Sequence, residues 1–292
     1  MFRGTGIAII TPFQDGKIDW AAFERLIEGQ IQAGTDCIVA LGTTGEPSTQ
    51  SVEEKSEVTR FVIDQVAGRI PVMVGAGANS TAAAIEASKR MVDLGAESLL
   101  HVTPYYNKAT QGGLVAHYTA IADSVDVPVV TYNVPGRTST NMLPETVAVL
   151  ADHPNIAGHK EACGNIAQIM ELFRLCRGKL RIWSGNDDHV FPMLALGGDG
   201  VISVAAHVIA RDMAELTHKY FEGDTQGSLA IQERANPLIA QLFTEVSPIP
   251  VKAALSMMGI CEEELRLPLV PMTDEGRASL RKEMEAYGLL RQ

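Results

Sequence analysis

The residue best suited to covalent chemistry is Lys160, in the run Asn155-Ile156-Ala157-Gly158-His159-Lys160-Glu161, where a short, largely apolar stretch gives way to polar residues. Two readings compete for it. A lysine can simply mark where a strand meets water. At the carboxyl end of a strand in a parallel α/β barrel, it lies instead on the face where such barrels keep their chemistry. Desolvation there disfavours the ammonium form, and the neutral amine can attack a ketone to form a Schiff base. Lys108 is a rival nucleophile, but its Asn107-Lys108-Ala109-Thr110-Gln111 surroundings are polar, so water should keep it charged.

Other candidates also follow apolar runs. Gly42-Thr43-Thr44-Gly45 either presents backbone N–H groups and hydroxyls to a carboxylate, next to a helix N-terminus, or is a plain turn. Tyr132 is either a proton carrier near Lys160 or a packing aromatic. Arg137 either grips a carboxylate with two hydrogen bonds or is a solvated loop charge. Asp187-Asp188-His189 reads more simply as helix capping than as a metal cluster, and no histidine pair has a zinc-motif spacing. The Gly-x-Ser-x-Gly and phosphate-binding Gly-x-x-x-x-Gly-Lys-Ser/Thr signatures are absent.

Short apolar runs alternating with helical patterns must position these residues. The runs are Gly6–Ile10, Cys37–Leu41, Pro71–Val74, Leu99–Val102, Val127–Tyr132, the lysine run, Arg181–Ser184 and Gly200–Val204. Intervening stretches carry helical faces such as Phe23, Leu26, Ile27 and Ile31, or Ile166, Ile169, Met170 and Phe173, and Ser51 with Glu54 forms a capping box. Eight such units predict an α/β fold, a (β/α)8 TIM barrel, over residues 1-224, with a C-terminal helical extension over 225-292. A doubly wound sheet competes weakly, because Gly75-x-Gly77 lacks the third glycine of its fingerprint.

Composition narrows the function. The 292 residues are 46% hydrophobic, and 24 Lys plus Arg against 35 Asp plus Glu give a formal charge of -11. That balance argues against nucleic acid and anionic membranes as partners. Cys37, Cys163, Cys176 and Cys261 are scattered, which suits reduced thiols. With no run near the ~18 apolar residues of a membrane span, the expected location is cytoplasmic.

Together, Gly42-Thr43-Thr44-Gly45-Glu46, Thr103-Pro104-Tyr105-Tyr106-Asn107, Tyr132-Asn133-Val134-Pro135-Gly136-Arg137-Thr138 and Gly158-His159-Lys160-Glu161 resemble the dihydrodipicolinate synthase family of pyruvate aldolases. The likeness extends to Pro248-Ile249-Pro250-Val251-Lys252 and Leu265-Arg266-Leu267-Pro268. It implies condensation of pyruvate with aspartate semialdehyde through a Schiff base on Lys160, without cofactor or metal, on the path to diaminopimelate and lysine. Thr44, Tyr132 and Tyr106 would form a proton relay, with Tyr106 supplied across a dimer interface and a homotetramer, a dimer of dimers, as the usual assembly. Thr43 and Thr44 would hold the pyruvate carboxylate, Arg137 that of the second substrate, and Gly185 and Ile202 would line the pocket.

Departures from the family pattern concern regulation. Lysine-inhibited relatives bind lysine through a glutamate and two histidines, matched here by Ala83, Val52 and Lys55, although Asn79 and Tyr105 persist. Losing a carboxylate and gaining a cation predicts weak or absent lysine inhibition. His159 replaces a usually aliphatic residue, and strand alternation turns it away from Lys160. The competing functions are an N-acetylneuraminate lyase or 2-keto-3-deoxy sugar acid aldolase using the same lysine, a metal-dependent aldolase, and a barrel without catalysis.

Overall fold

The computed structural model describes residues 1–290, so the last two residues of the expected 225-292 extension lie outside the described ones. Eight parallel strands close into a barrel: β1 (Gly4–Ala8), β2 (Cys37–Ala40), β3 (Val72–Gly75), β4 (Ser98–Val102), β5 (Val129–Asn133), β6 (Ile156–Glu161), β7 (Arg181–Ser184) and β8 (Gly200–Ser203). Each pairs with its sequence neighbours, and β1 closes on β8 through Gly4↔Gly200 to Ile7↔Ser203. Closure removes the doubly wound alternative. Helices cover the outer face, so the strands are buried on both sides and read as continuous apolar runs.

Local signals set most element ends. Asp19 accepts from the Ala22 amide to start Trp20–Ala33, Gly34 ends that helix in the left-handed region, and Ser51 with Glu54 forms the full capping box of Val52–Val66. Between β1 and its helix lies a hairpin, Phe13–Gln14 with Lys17–Ile18, absent from the strand series expected above. Its turn is Asp15-Gly16 with φ of 52° and 76°, the Asp-Gly pair that two-residue hairpins favour.

The helix Ile166–Cys176 differs from expectation. It buries Ile169, Leu172, Phe173 and Cys176, whereas Ile166 and Met170 are 51% and 56% exposed. Apolar residues at i and i+4 sit one above the other, but here two such rows exist and only one faces the sheet. After the barrel come Thr225–Gln241, Ile249–Met257 and Asp274–Tyr287, and buried residues of all three belong to the same apolar cluster as the β1–β3 side of the barrel. Among the described residues no helix is long and apolar enough to cross a membrane.

The barrel interior is packed. Phe2 stacks on Trp183 with centroids 5.0 Å apart, and Ala8, Val39, Met73, Leu100, Val130 and Ile202 fill the rest. Closure depends on Gly200, whose φ is +137° and where a Cβ would lie 1.8 Å from the Gly4 carbonyl oxygen. Gly200→Ala is expected to lower the thermal midpoint by roughly 5 to 10 °C, checked by circular dichroism, because both the strand contact and the backbone conformation are lost.

Candidate active site

Lys160 is the penultimate residue of β6 and pairs in register with Tyr132 on β5 and Trp183 on β7. Its side chain is 5% exposed, and Nζ stands 4.3 Å from the Tyr132 ring centroid. Beneath it, Gly158 makes room for Trp183, because a Cβ there would lie 2.5 Å from the indole. Beside it, a Cβ on Gly185 would stand 3.0 Å from Lys160 Cε. The two glycines thus let an aromatic floor and a backbone wall close on the amine.

The electrostatics follow from that enclosure. Burial pushes the Lys160 pKa down to about 8, with Arg137 adding to the fall and Asp187 opposing it. Burial likewise pushes the Tyr132 phenol up to about 12, against the pull of the Arg137 guanidinium. Ordinary lysine attack on a carbonyl is suppressed by protonation, so this environment favours the nucleophilic form.

The other sequence candidates fall in two groups. Thr44, Tyr132, Lys160 and Ile202 are buried at the mouth. Tyr132 also borders a cavity of about 530 Å³ whose lining includes Thr43, Tyr105 and Arg137 together with Val52, Lys55 and Arg90, but not Lys160 or Thr44. Gly42–Glu46 is not followed directly by an α-helix: two short 3-10 turns, Thr43–Gly45 and Pro47–Thr49, precede the helix at Val52. The Gly45 and Glu46 amides close the first turn on Gly42 and Thr43, which leaves the Thr43 and Thr44 amides for a ligand. Arg137 sits in the helical turn Pro135–Thr138 and donates to the Ser247 carbonyl at 3.3 Å.

Tyr106 is not brought to this site. It is 90% exposed, outside the cavity of its own chain, with φ at +75°. A bulky residue in the left-handed region is unusual outside functional or strained turns. Lys108 is also exposed, as its polar loop implies.

Two residues at the mouth carry more than their sequence context suggested. Trp183 read only as part of a strand, yet it floors the lysine. Asp187 does not cap its own turn, which has no side-chain cap; its Oδ2 accepts from the Val204 and Ala205 amides at 3.0 and 2.9 Å, beyond β8. The correction has a topological reason, since a carboxylate after β7 meets the loop after β8 only once the barrel closes. Burial raises the Asp187 carboxyl, opposed by its hydrogen bonds from Ser203 and the Ala205 and Val204 amides and, less, by the Lys160 charge. Among the described residues no three His, Cys, Asp or Glu side chains gather as a metal-holding group.

His159 points to the helix layer. Its Nδ1 lies 2.7 Å from Thr131 Oγ1 and its Nε2 3.4 Å from Glu161 Oε2, all fully buried. Glu161 also accepts from Asn133 Nδ2 at 3.0 Å and the Cys163 amide at 2.7 Å. This outer network fastens β5 to β6 on the side opposite the amine.

The chain and its fold are similar to those of known proteins. The Dihydrodipicolinate synthetase family model matches residues 1–287. The 4-hydroxy-tetrahydrodipicolinate synthase of Alkaliphilus oremlandii is 49% identical over 290 residues, spanning 99% of this chain and 100% of its own length. The crystal structure of dihydrodipicolinate synthase from Thermotoga maritima has a TM-score of 0.98 at 46% identity, covering 99% of this chain and 100% of that one. The chloride-inhibited dihydrodipicolinate synthase from Acinetobacter baumannii, solved with pyruvate, has a TM-score of 0.97 at 42% identity, with 99% and 100% covered. With a family match that runs through the barrel, the buried lysine and the C-terminal helices, this chain belongs to the dihydrodipicolinate synthetase family.

Proposed function

We propose that this chain condenses pyruvate with L-aspartate 4-semialdehyde to give 4-hydroxy-tetrahydrodipicolinate, through a Schiff base on Lys160. The observation that carries the reading is the buried amine over Tyr132, with its pKa pushed down to about 8. At pH 7 an ordinary lysine is neutral in about one molecule in three thousand, whereas a lysine at about 8 is neutral in roughly one in ten. The name of the Alkaliphilus relative and the pyruvate in the Acinetobacter structure support the substrates.

In this reading the amine adds to C2 of pyruvate and water leaves as the iminium forms. Loss of a C3 proton makes the enamine, and its C3 bonds to the aldehyde carbon of the second substrate. The substrate's own amine then adds to C2, closing the ring and releasing Lys160. Thr43 and Thr44 hold the pyruvate carboxylate through the amides left over by their turn. Tyr132 stays a protonated phenol at neutral pH and hands protons on with Thr44 and Tyr106. Gly185 gives the wall clearance and Ile202 an apolar contact below.

Arg137, at the cavity rim, receives the carboxylate of the semialdehyde. Tyr106 acts in a neighbouring subunit, which agrees with its exposure and strained backbone. Two chains then form the active dimer, and a dimer of dimers is the assembly, for which exposed Ile166 and Met170 offer apolar surface. The location assigned is the cytoplasm.

The first test is borohydride trapping with pyruvate, read by intact mass, followed by a condensation assay. A pyruvyl adduct is expected on the wild type and none on Lys160→Ala. Because the amine attacks and the ammonium does not, the trapping rate should rise through pH about 8 and level above it; a rise persisting beyond about 10 contradicts the depressed pKa. Arg137→Ala is expected to raise KM for the semialdehyde about 10- to 100-fold while the pyruvate adduct still forms. Equal loss for both substrates would reassign Arg137.

The cavity that Tyr132 borders also bears on inhibition by lysine. Val52, Lys55, Ala83 and Arg90 all border it, and burial with the nearby Arg90 lowers the Lys55 pKa. The one carboxylate on that surface, Glu86, is paired with Arg90, and Lys55 remains to oppose a second cation, so submillimolar lysine is expected to inhibit weakly or not at all in an activity titration, and strong inhibition there refutes it.

A further inference from the structure

A buried ion pair joins the C-terminal helices to the Gly42–Glu46 turn. Lys252, on the helix Ile249–Met257, is fully buried, with Nζ 2.5 Å from Glu46 Oε1 in a charge contact outside hydrogen-bond alignment. The same ammonium donates to the Glu264 carbonyl at 2.9 Å and lies 4.2 Å from the Phe13 ring centroid. Arg266 completes the grip. Its backbone amide donates to Glu46 Oε2 at 3.2 Å, while its guanidinium pairs with the Glu54 carboxylate at 2.6 and 2.8 Å, donates to the Thr49 carbonyl at 3.1 Å and lies 4.2 Å from the Phe13 centroid.

Glu46 is the hinge of the loop that carries Thr44. It sits in the left-handed region, φ 54° and ψ 44°, ending the turn Thr43–Gly45 and beginning Pro47–Thr49. A non-glycine residue keeps that conformation only where its surroundings enforce it. A fully buried ion pair is costly to form and often contributes no net stability, so its better-attested use is to select one geometry among several. Here the geometry selected is that of the turn holding Thr44.

We propose that Lys252 is a positioning residue for the reaction: by gripping Glu46 from the C-terminal helical region, with the Arg266 backbone amide on the other carboxylate oxygen, it sets the Thr44 hydroxyl against Tyr132 and the Lys160 adduct. The proposal rests on the reading of Thr44 as a member of the proton relay. The grip makes the C-terminal region part of the catalytic apparatus although neither cation lines the site. Burial lowers the Lys252 pKa, and the Glu46 carboxylate opposes that fall.

The test uses the full chain and four variants. In the pair Glu46→Gln with Lys252→Met both charges go, so no lone buried charge remains and the melting midpoint should stay within a few degrees of wild type. Glu46→Asp keeps the charge but withdraws the carboxylate by one methylene, so it serves if the pair does not fold. Thr44→Val is expected to lower kcat by about 100-fold. The Glu46/Lys252 pair, and Glu46→Asp, should each lower kcat by about 10-fold or more while KM for pyruvate and borohydride trapping on Lys160 hold. Added to Thr44→Val, the pair should cost no further kcat, because the residues act as one unit.

A folded pair variant with wild-type kcat, beside an impaired Thr44→Val, overturns the positioning role alone. Effects that multiply in the combined variant overturn it as well, since the grip would then act elsewhere than through Thr44. An unimpaired Thr44→Val overturns the relay reading and this proposal together.

Discussion

The burial of one amine governs how the barrel mouth is built. Removing water from Lys160 disfavours its ammonium form, and every wall of the barrel mouth contributes to that removal. Phe2 and Trp183 block the interior below, Tyr132 lies over the amine, and Gly158 and Gly185 let the indole and the backbone approach closely. Two fixed charges trim the result in opposite senses, Asp187 favouring the ammonium and Arg137 the amine. Desolvation is the largest of these effects, so the geometry of the barrel, more than any single neighbour, lowers the pKa of the amine.

Holding a strand end so tightly leaves polar groups to satisfy on its other side. β6 presents Gly158 and Lys160 to the interior and His159 and Glu161 to the helix layer. The outer residues are wholly buried, yet they are partnered by Thr131, Asn133 and the Cys163 amide. This satisfies the rule that buried polar groups need partners, and it ties β5 to β6 where Tyr132 and Lys160 face each other. His159 therefore has a physical account as a strap, although its sequence position offered none.

The C-terminal region touches both loops from a distance. Ser247 accepts from the Arg137 guanidinium, and Lys252 and Arg266 reach Glu46. Both loops that frame the cavity are therefore held by residues more than a hundred positions later in the chain. A barrel of eight strands has a common scaffold for many reactions, and it is such loop attachments that distinguish one site from another.

The strand series, the barrel and the position of Lys160 at a strand's end were legible in the sequence, because continuous apolar runs and capped amphipathic helices are local properties. The Asp15-Gly16 hairpin was equally local and equally available. The strand series also carried Thr43, Thr44, Tyr132, Arg137 and Gly185 to one rim, since residues following parallel strands share an end of the barrel. Which helical row faces the sheet emerged only on packing, as Ile166 and Met170 show, because two rows of equal spacing are distinguished by what lies against them. The tertiary structure alone revealed that Asp187 bridges to the loop after β8, that Trp183 floors the lysine and that Lys252 clasps Glu46. Those pairings join residues tens to hundreds of positions apart, and no periodicity encodes a distance that exists only after the chain has closed on itself.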